Sequence, residues 1–201
     1  MSAYEPNQAL HLVDRKQEIY ADQHRIVSRG IEFTLAAVDR LAYSATATRI
    51  NGSYMGTNFM VRLGQGSVVD TFMLDSGWKD GRLEEFRAFW GGVVDLLEAT
   101  VCPRLAEDAV TAIAGGGRVA FGSIVAGPGG VRSKGPFGRE IPWSDVVGTE
   151  VSNIGQLRVQ VQKPGAAKVK PRLSAGLNQW NAVLLPRVVA AFTGNWAGCP
   201  A

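Results

Sequence analysis

Histidine and cysteine are scarce in this chain. Its 201 residues include two histidines, His11 and His24, and two cysteines, Cys102 and Cys199. Neither cysteine lies near a histidine in the sequence, so the clustered ligands of a zinc site are lacking. Two widely separated cysteines also argue against a disulfide framework. We therefore expect no metal and no cofactor.

Long apolar runs and catalytic motifs are lacking as well. No apolar stretch reaches the roughly 18 residues of a membrane-spanning helix, and the N-terminal M-S-A-Y-E-P-N-Q does not resemble a signal peptide. There is no Gly-x-Ser-x-Gly motif. The Gly115-Gly116-Gly117 run follows a predicted helix, whereas a phosphate-binding loop precedes one. We expect a cytoplasmic protein that is not an enzyme.

The chain does contain enough apolar residues for a core, and its charge is uneven. Hydrophobic residues make up 46% and charged residues 19%, which is typical of a globular protein. Residues 1–117 carry 11 basic and 15 acidic residues, whereas residues 118–201 carry 10 and 3, so their net charges are −4 and +7. A positive second half favours phosphate-bearing partners or an acidic protein surface. A solvated face without a ligand is the alternative.

The first half predicts strands followed by a helix, after a loose N-terminal arm at 1–14. Apolar spacing of three and four predicts a long helix at 80–101, with Asp80 as its N-cap, and a second helix at 104–114 after Pro103. Gly91-Gly92 inside the long helix predicts close packing there. The predicted strands cover 18–23, 25–28, 31–35, 41–47, 59–63 and 68–74.

The second half predicts the same order of strands and helix. Its central stretch, 139–151, reads as a strand, a polar corner at Ser144-Asp145 and a second strand. Residues 33–38 align with 141–146 at an offset of 108, and residues 56–61 align with 155–160 at an offset of 99, which favours an internal duplication. Further strands are predicted at 118–125, 131–134, 156–161 and 168–173, and a final helix at 178–192.

Two segments of the second half resemble a known family. V-A-F-G-S-I-V-A-G-P-G-G-V at 119–131 and R-E-I-P-W-S-D-V at 139–146, followed by an alternating strand and a helix, resemble the bacterial pleckstrin-homology-like (PH-like) domains. The arrangement in two halves is similar to the uncharacterised tandem form of that family. In the first half, Leu35 and Ala37 occupy the places of the motif's tryptophan and aspartate.

The resemblance implies an α+β fold that is mainly antiparallel β. Two PH-like bent sheets, or partly open barrels, are each expected to be closed by a C-terminal helix. The first module would cover 15–114 and the second 118–201. Trp143 would then be a core residue whose indole N–H bonds a backbone carbonyl.

Two basic groups are the candidate ligand-binding residues. Arg132, Lys134 and Arg139 flank the turn at 135–138, where the resemblance to phosphoinositide-binding PH domains implies an anionic ligand. Lys168, Lys170 and Arg172 alternate along the last predicted strand, so they are expected to share one face and to form a cationic patch with the first group if the strands are neighbours. The alternative is an edge strand that lysine and proline protect from aggregation.

Two functions remain open at this point. One is non-catalytic scaffolding through an unidentified protein partner, with a homodimer through a sheet edge as one form of it. The other is peripheral binding of anionic lipid headgroups, similar to phosphoinositides, at the inner face of a membrane. Nucleic acid is a less favoured partner, because the basic residues are not interleaved with aromatic residues.

Overall fold

The computed structural model describes residues 9–14, 17–77 and 81–194, and in this part the protein is α+β with mainly antiparallel strands. Three α-helices accompany four sheets in these ranges, and none of the sheets closes into a barrel. The chain forms two compact units, residues 1–103 and 104–201. The division lies between Pro103 and Arg104, ahead of the boundary at 114–118 that the sequence suggested.

The first unit contains two consecutive meanders and a helix. A 3-10 helix, Leu35–Ala37, separates the meanders, and the predicted N-cap Asp80 lies outside the described residues. The four-stranded meander consists of β1 (Leu10–Asp14), β2 (Gln17–Ala21), β3 (Arg25–Ser28) and β4 (Ile31–Thr34), the three-stranded meander of β5 (Arg40–Ile50), β6 (Ser53–Gln65) and β7 (Val68–Gly77), and the helix is α1 (Leu83–Thr100).

The loose arm predicted at 1–14 is wrong for its last five residues. Residues Leu10–Asp14 form β1, which pairs with β2 so that Leu12 lies opposite Ile19. Both of these side chains are buried, and their burial stabilises an edge strand that the short apolar pattern L-H-L-V-D left ambiguous. Residues 1–8 lie outside the described ranges.

Helix α1 covers the sheets of the first unit with its apolar face. Phe86 and Phe89 are buried, and Trp90 contacts Phe59 while its indole N–H donates to the Met60 carbonyl at 3.2 Å. The close packing predicted inside the helix is confirmed at Gly92. A Cβ there would lie 3.0 Å from Cδ1 of Leu10, so the helix approaches β1 closely at this residue.

The second unit repeats the order of meanders and helix, and α2 (Cys102–Ala114) runs across the division into it. The strand predicted at 118–125 is two strands, because Gly122 adopts φ +61° and forms a tight turn with Ser123. The strands are β8 (Val119–Phe121), β9 (Ile124–Gly127), β10 (Gly130–Ser133), β11 (Ile141–Pro142), β12 (Val146–Val151), β13 (Gln156–Val161) and β14 (Lys170–Gly176), and the last helix is α3 (Leu185–Thr193).

The predicted corner of the second unit is a 3-10 helix, Trp143–Asp145, between β11 and β12. The indole N–H of Trp143 donates to the Gly127 carbonyl at 3.0 Å, which confirms the predicted bond. Its ring stacks on Phe192 of α3 with a centroid distance of 4.7 Å. The side chain is half-buried, so the expectation of a core position holds only for the face that contacts α3.

The offset of 99 between the later strands of the two halves is wrong. With the corners superposed at 108, Leu41 falls on Thr149, and their cross-strand partners are Leu63 and Val159, which differ by 96. An offset of 99 would also place the buried Phe59 on the half-exposed Arg158. Buried and exposed residues alternate along a strand, so strand pairing determines which residues of the two halves correspond. Loop lengths alone do not determine this offset.

Candidate functional site

The six predicted basic residues lie on or beside two sheets of the second unit. Arg132 is on β10, Lys134 and Arg139 are in the loop between β10 and β11, Lys170 and Arg172 are on β14, and Lys168 precedes that strand. All except Arg132 are exposed. Strands β10 and β14 belong to different sheets, so they are not hydrogen-bonded neighbours.

The strand predicted at 168–173, on which Lys168, Lys170 and Arg172 were expected to share one face, begins two residues later than predicted. Strand β14 begins at Lys170, so Lys168 lies in the preceding loop. Lys170 pairs with Val161, but the register shifts before Leu173 and leaves Arg172 without an opposite residue. A bulge of this kind interrupts the two-residue alternation on which the prediction depended.

The β10–β11 loop holds its two basic residues on either side of an exposed aromatic ring. A backbone bond from Gly138 N to the Gly135 carbonyl, 3.1 Å long, closes a turn with Pro136 and Phe137 at its corners. The side chain of Phe137 is fully presented to solvent, with 98% of the residue exposed. Lys134 precedes the turn, and Arg139 follows it.

The base of this loop is fixed by strand pairing. Val131 pairs with Ile141, which places the residues that flank the loop across from each other. Proline at one corner of the turn restricts φ, so the loop loses little further entropy when it binds. The result is a short projecting loop with an apolar tip and a basic base.

Ser123, in the β8–β9 turn, links this loop to β14. Its carbonyl accepts a bond of 2.9 Å from Lys134 N, and its hydroxyl donates to the Ser174 carbonyl at 2.7 Å. Gln179 fixes the turn further, because its side-chain carbonyl accepts from Ser123 N at 2.8 Å. Arg172 is two residues from Ser174, so it is the member of the second basic group that lies nearest to this contact along the chain.

The other two lysines of that group lie farther away along the chain. Lys170 and Lys168 are four and six residues before Ser174. At about 3.3 Å per residue, this separates them from the Ser123 contact by roughly 13 Å or more of extended chain. We therefore define the basic cluster as Lys134, Arg139 and Arg172.

The positive charge of the basic cluster is not neutralised by nearby carboxylates in the described part of the chain. Among the described residues, no carboxylate lies within ion-pair distance of any of the six predicted basic residues. The three acidic residues that follow position 117 contact other groups: Glu140 faces Arg118 at 3.9 Å, Asp145 accepts from Ser144 at 3.4 Å, and Glu150 accepts from Gln160.

Arg132 differs from the other predicted residues. It lies opposite Val125 in the sheet and is half-buried, and its Nε is buried without a hydrogen-bond partner in the described part of the chain. A guanidinium in that position is part of the sheet surface more than of the projecting loop. We therefore leave it out of the basic cluster.

The first unit has a shallow groove of its own on the outer face of β2, β3 and β4. Its charges are balanced, because Arg25 pairs with Glu32 at 2.9 Å and Arg29 pairs with Asp70. A groove in which each cation already has a carboxylate is a weaker anion site than the basic cluster. The groove is lined by Glu18, Tyr20, Arg25, Val27, Arg29, Gly30 and Glu32.

Sequence reasoning identified the basic residues around the turn but did not single out Phe137. The available signal was an aromatic residue placed between glycine and proline, in a turn with a cation on each side. Aromatic residues usually contribute to a core, and a turn of four residues has no core-facing side. That combination marks an exposed ring.

Comparison of the sequence with models of known families and with curated proteins, and of the fold with solved structures, finds no match. Among the helices in the described ranges, none is both long and apolar enough to cross a bilayer. Those ranges also contain no group of three or more His, Cys, Asp or Glu side chains suited to a metal ion.

Proposed function

We propose that the chain consists of two PH-like modules. Each unit has a four-stranded meander, a 3-10 corner, a three-stranded meander and a helix, in that order. The corners begin at Leu35 and Trp143, which are 108 residues apart, as in the alignment of the two halves. This common order supports a duplication, and α1 and α3 are the helices that would close the two modules.

We further propose that the protein is a non-catalytic binding protein whose second module docks on anionic lipid surfaces. The observation that carries this proposal is Phe137, which is 98% exposed between Lys134 and Arg139. A ring at the tip of a loop enters the acyl boundary of a bilayer while the cations at its base reach the headgroup phosphates. Arg172 contributes a third cation near the loop.

The expected affinity is modest and reversible. Burial of a phenylalanine side chain contributes about 1.5–3 kcal/mol. Each basic residue near an anionic surface contributes about 1 kcal/mol. One ring and three cations therefore give about 5 kcal/mol, which corresponds to a dissociation constant between about 0.1 and 1 mM. Binding of this strength is peripheral.

The test is sedimentation of the full chain with vesicles of neutral or anionic lipid. We expect binding only to anionic vesicles, and a Lys134→Glu/Arg139→Glu variant is expected to lose it. A Lys163→Glu/Lys168→Glu variant makes the same charge change in the β13–β14 loop and is expected to keep most of the binding. Arg132 is left unchanged because its half-buried position makes a charge reversal there a risk to folding.

Three results would contradict the proposal. These are equal binding to neutral vesicles, equal loss of binding in both charge variants, and binding to a single-stranded oligonucleotide but not to vesicles. The last result would indicate that the basic cluster recognises a nucleic acid backbone. Circular dichroism of each variant checks that the fold is intact.

A further inference from the structure

The first unit has an element without an equivalent in the second. Strand β5 has 11 residues and β12 has 6. Residues of β5 correspond to residues of β12 at an offset of 108, and residues of β6 to those of β13 at an offset of 96. The β5–β6 hairpin is therefore longer by 12 residues than the β12–β13 hairpin. This extension includes the end of β5, where residues 45–50 are all exposed.

The extended part of β5 is a free sheet edge. Among the described strands, in the order β5-β6-β7, β5 pairs with β6 alone, so its other side carries backbone groups that no described strand pairs. The bulge in this hairpin places its extra residue, Met55, on β6, because Thr48 pairs with Gly56 and Arg49 with Tyr54. Strand β5 therefore runs without interruption to Ile50.

Side chains cap two other sheet edges. On β7, the opposite edge of the same sheet, the Met73 carbonyl accepts from Gln17 at 2.6 Å and the Thr71 carbonyl from Arg29 at 3.0 Å. On β14, Ser174 accepts from Ser123. Within the described ranges, no side chain caps β5 between Ser44 and Ile50.

The residues of this edge lack the usual protection against strand pairing. The segment S-A-T-A-T-R-I contains no lysine and no proline, and its only charge is Arg49. Small and β-branched side chains on an uninterrupted edge favour the addition of another strand. An extension that is both long and unprotected fits a role in assembly.

We propose that residues 44–50 pair with the same segment of a second copy, giving a symmetric dimer through a continuous six-stranded sheet. An antiparallel pair centred on Ala47 places Thr46 opposite Thr48 on both sides of the axis. Thr–Thr pairs are among the cross-strand pairs that stabilise sheets. The two ends then place Ser44 opposite Ile50.

The charge on this edge is also compatible with pairing to a second copy of the chain. In this register each Arg49 lies opposite Ala45, so the two arginines are separated by four residues along the strands. That distance is about 13 Å, beyond the Debye length of about 8 Å at physiological ionic strength. The two edges are identical, which is what a two-fold interface requires. This inference concerns the first unit and does not depend on the lipid-binding proposal.

The test measures the mass of the full chain by analytical ultracentrifugation over a range of concentrations. We expect a reversible increase to twice the chain mass of 21.5 kDa. An Ala45→Lys/Ala47→Lys variant is expected to weaken dimerisation by at least about tenfold, because it places lysines opposite each other at the axis. A Val69→Lys/Met73→Lys variant on the capped edge of β7 is the matched control and is expected to dimerise normally.

Cysteine cross-linking tests the register. Ala47→Cys is expected to form an intermolecular disulfide upon oxidation, whereas Ala45→Cys faces Arg49 of the other copy and is expected to cross-link much less. A chain that stays monomeric at every concentration would overturn the proposal, and so would growth beyond two copies. Dimers that the β5 lysines leave unchanged would also overturn it, and thermal melting of each variant confirms folding.

Discussion

Trp143 connects the corner of the second unit to two other elements. Its N–H bonds the Gly127 carbonyl, and its ring stacks on Phe192. We predict that Trp143→Ala lowers the free energy of unfolding by about 2–4 kcal/mol, somewhat below the usual cost for a fully buried tryptophan. Trp143→Phe keeps a stacked ring and loses only the bond, so about 1 kcal/mol is expected. Denaturant unfolding distinguishes the two, and equal losses would mean that stacking contributes little.

Arg29 and Asp70 form a part-buried ion pair in the first unit, in which the carboxylate is buried and the guanidinium is half exposed. Asp70 has a side chain that is 6% exposed, and Arg29 pairs with it from a turn in which its own φ is +52°. A left-handed arginine costs about 1 kcal/mol or more, so the turn alone favours glycine or asparagine. The ion pair explains why arginine is present there.

We predict that Arg29→Gly destabilises the protein although it relieves the backbone. Loss of the arginine leaves the buried Asp70 carboxylate without its partner, which costs about 1–3 kcal/mol because the half-exposed guanidinium is screened by solvent, and this exceeds the gain in the turn. The double variant Arg29→Gly/Asp70→Asn is expected to recover part of the loss, because the unpaired charge is gone. Unfolding measurements of both single variants and the double variant form the cycle. A stability of Arg29→Gly equal to that of the native chain would contradict this role.

At the residue scale, the sequence predicted what local chemistry determines. The indole bond of Trp143 was predictable, because a tryptophan beside a core needs an acceptor for its N–H. The burial of Asp70 was not, since its partner Arg29 lies 41 residues away. Phe137 was missed because composition places aromatic residues in cores, and its exposure depends on the length of the loop.

Two adjacent glycines of α1 provide a test at the scale of the element. A Cβ at Gly91 would meet no atom within 4 Å, whereas one at Gly92 would lie 3.0 Å from Leu10. Glycine within a helix costs about 1 kcal/mol relative to alanine. We predict that Gly91→Ala raises the free energy of unfolding by about 0.5–1 kcal/mol. Gly92→Ala is expected to gain less or to destabilise, because Leu10 must move.

Thermal melting of the two alanine variants measures this difference directly. The substitutions are identical and lie in consecutive positions of one helix, so helix propensity cancels in the comparison. An equal gain at both positions would show that β1 yields to the added methyl group without cost. A loss at Gly91 would contradict the open space next to it.

The sequence predicted element boundaries well where turn-forming residues such as glycine and proline mark them. Strand β13 occupies the predicted residues 156–161, whereas the last helix, predicted at 178–192, begins at Leu185 with Pro186 in its first turn. The division of β8 from β9 was missed, because Gly122-Ser123 lies within an apolar run and only its positive φ reveals a turn. Strand pairing corrected the alignment of the halves, since register depends on partners that a single sequence does not identify.

At the scale of the whole molecule, the charge split and the two cations beside the turn were visible in the sequence, but the exposed ring of Phe137 between them was not. The count of +7 for residues 118–201 does not indicate which cations come together. Ser123 links the backbone of the β10–β11 loop at Lys134 to β14 at Ser174, which is 51 residues away.

Salt separates the two contributions to the proposed lipid binding. The Debye length falls from about 30 Å at 0.01 M to about 8 Å at 0.15 M ionic strength, so attraction between the basic cluster and an anionic surface weakens with added salt. The apolar contribution of Phe137 does not depend on charge. We predict that Phe137→Ala reduces vesicle binding by roughly 10- to 100-fold at both ionic strengths.

The charge variant Lys134→Glu/Arg139→Glu is expected to behave in the opposite way. It loses most of its binding at low salt and has a flatter salt dependence, because the cations responsible for that dependence are gone. Vesicle sedimentation at the two ionic strengths measures both slopes. If Phe137→Ala no longer reduced vesicle binding at high salt, the contribution of the ring would depend on the neighbouring cations. That result would contradict insertion of the loop into the bilayer.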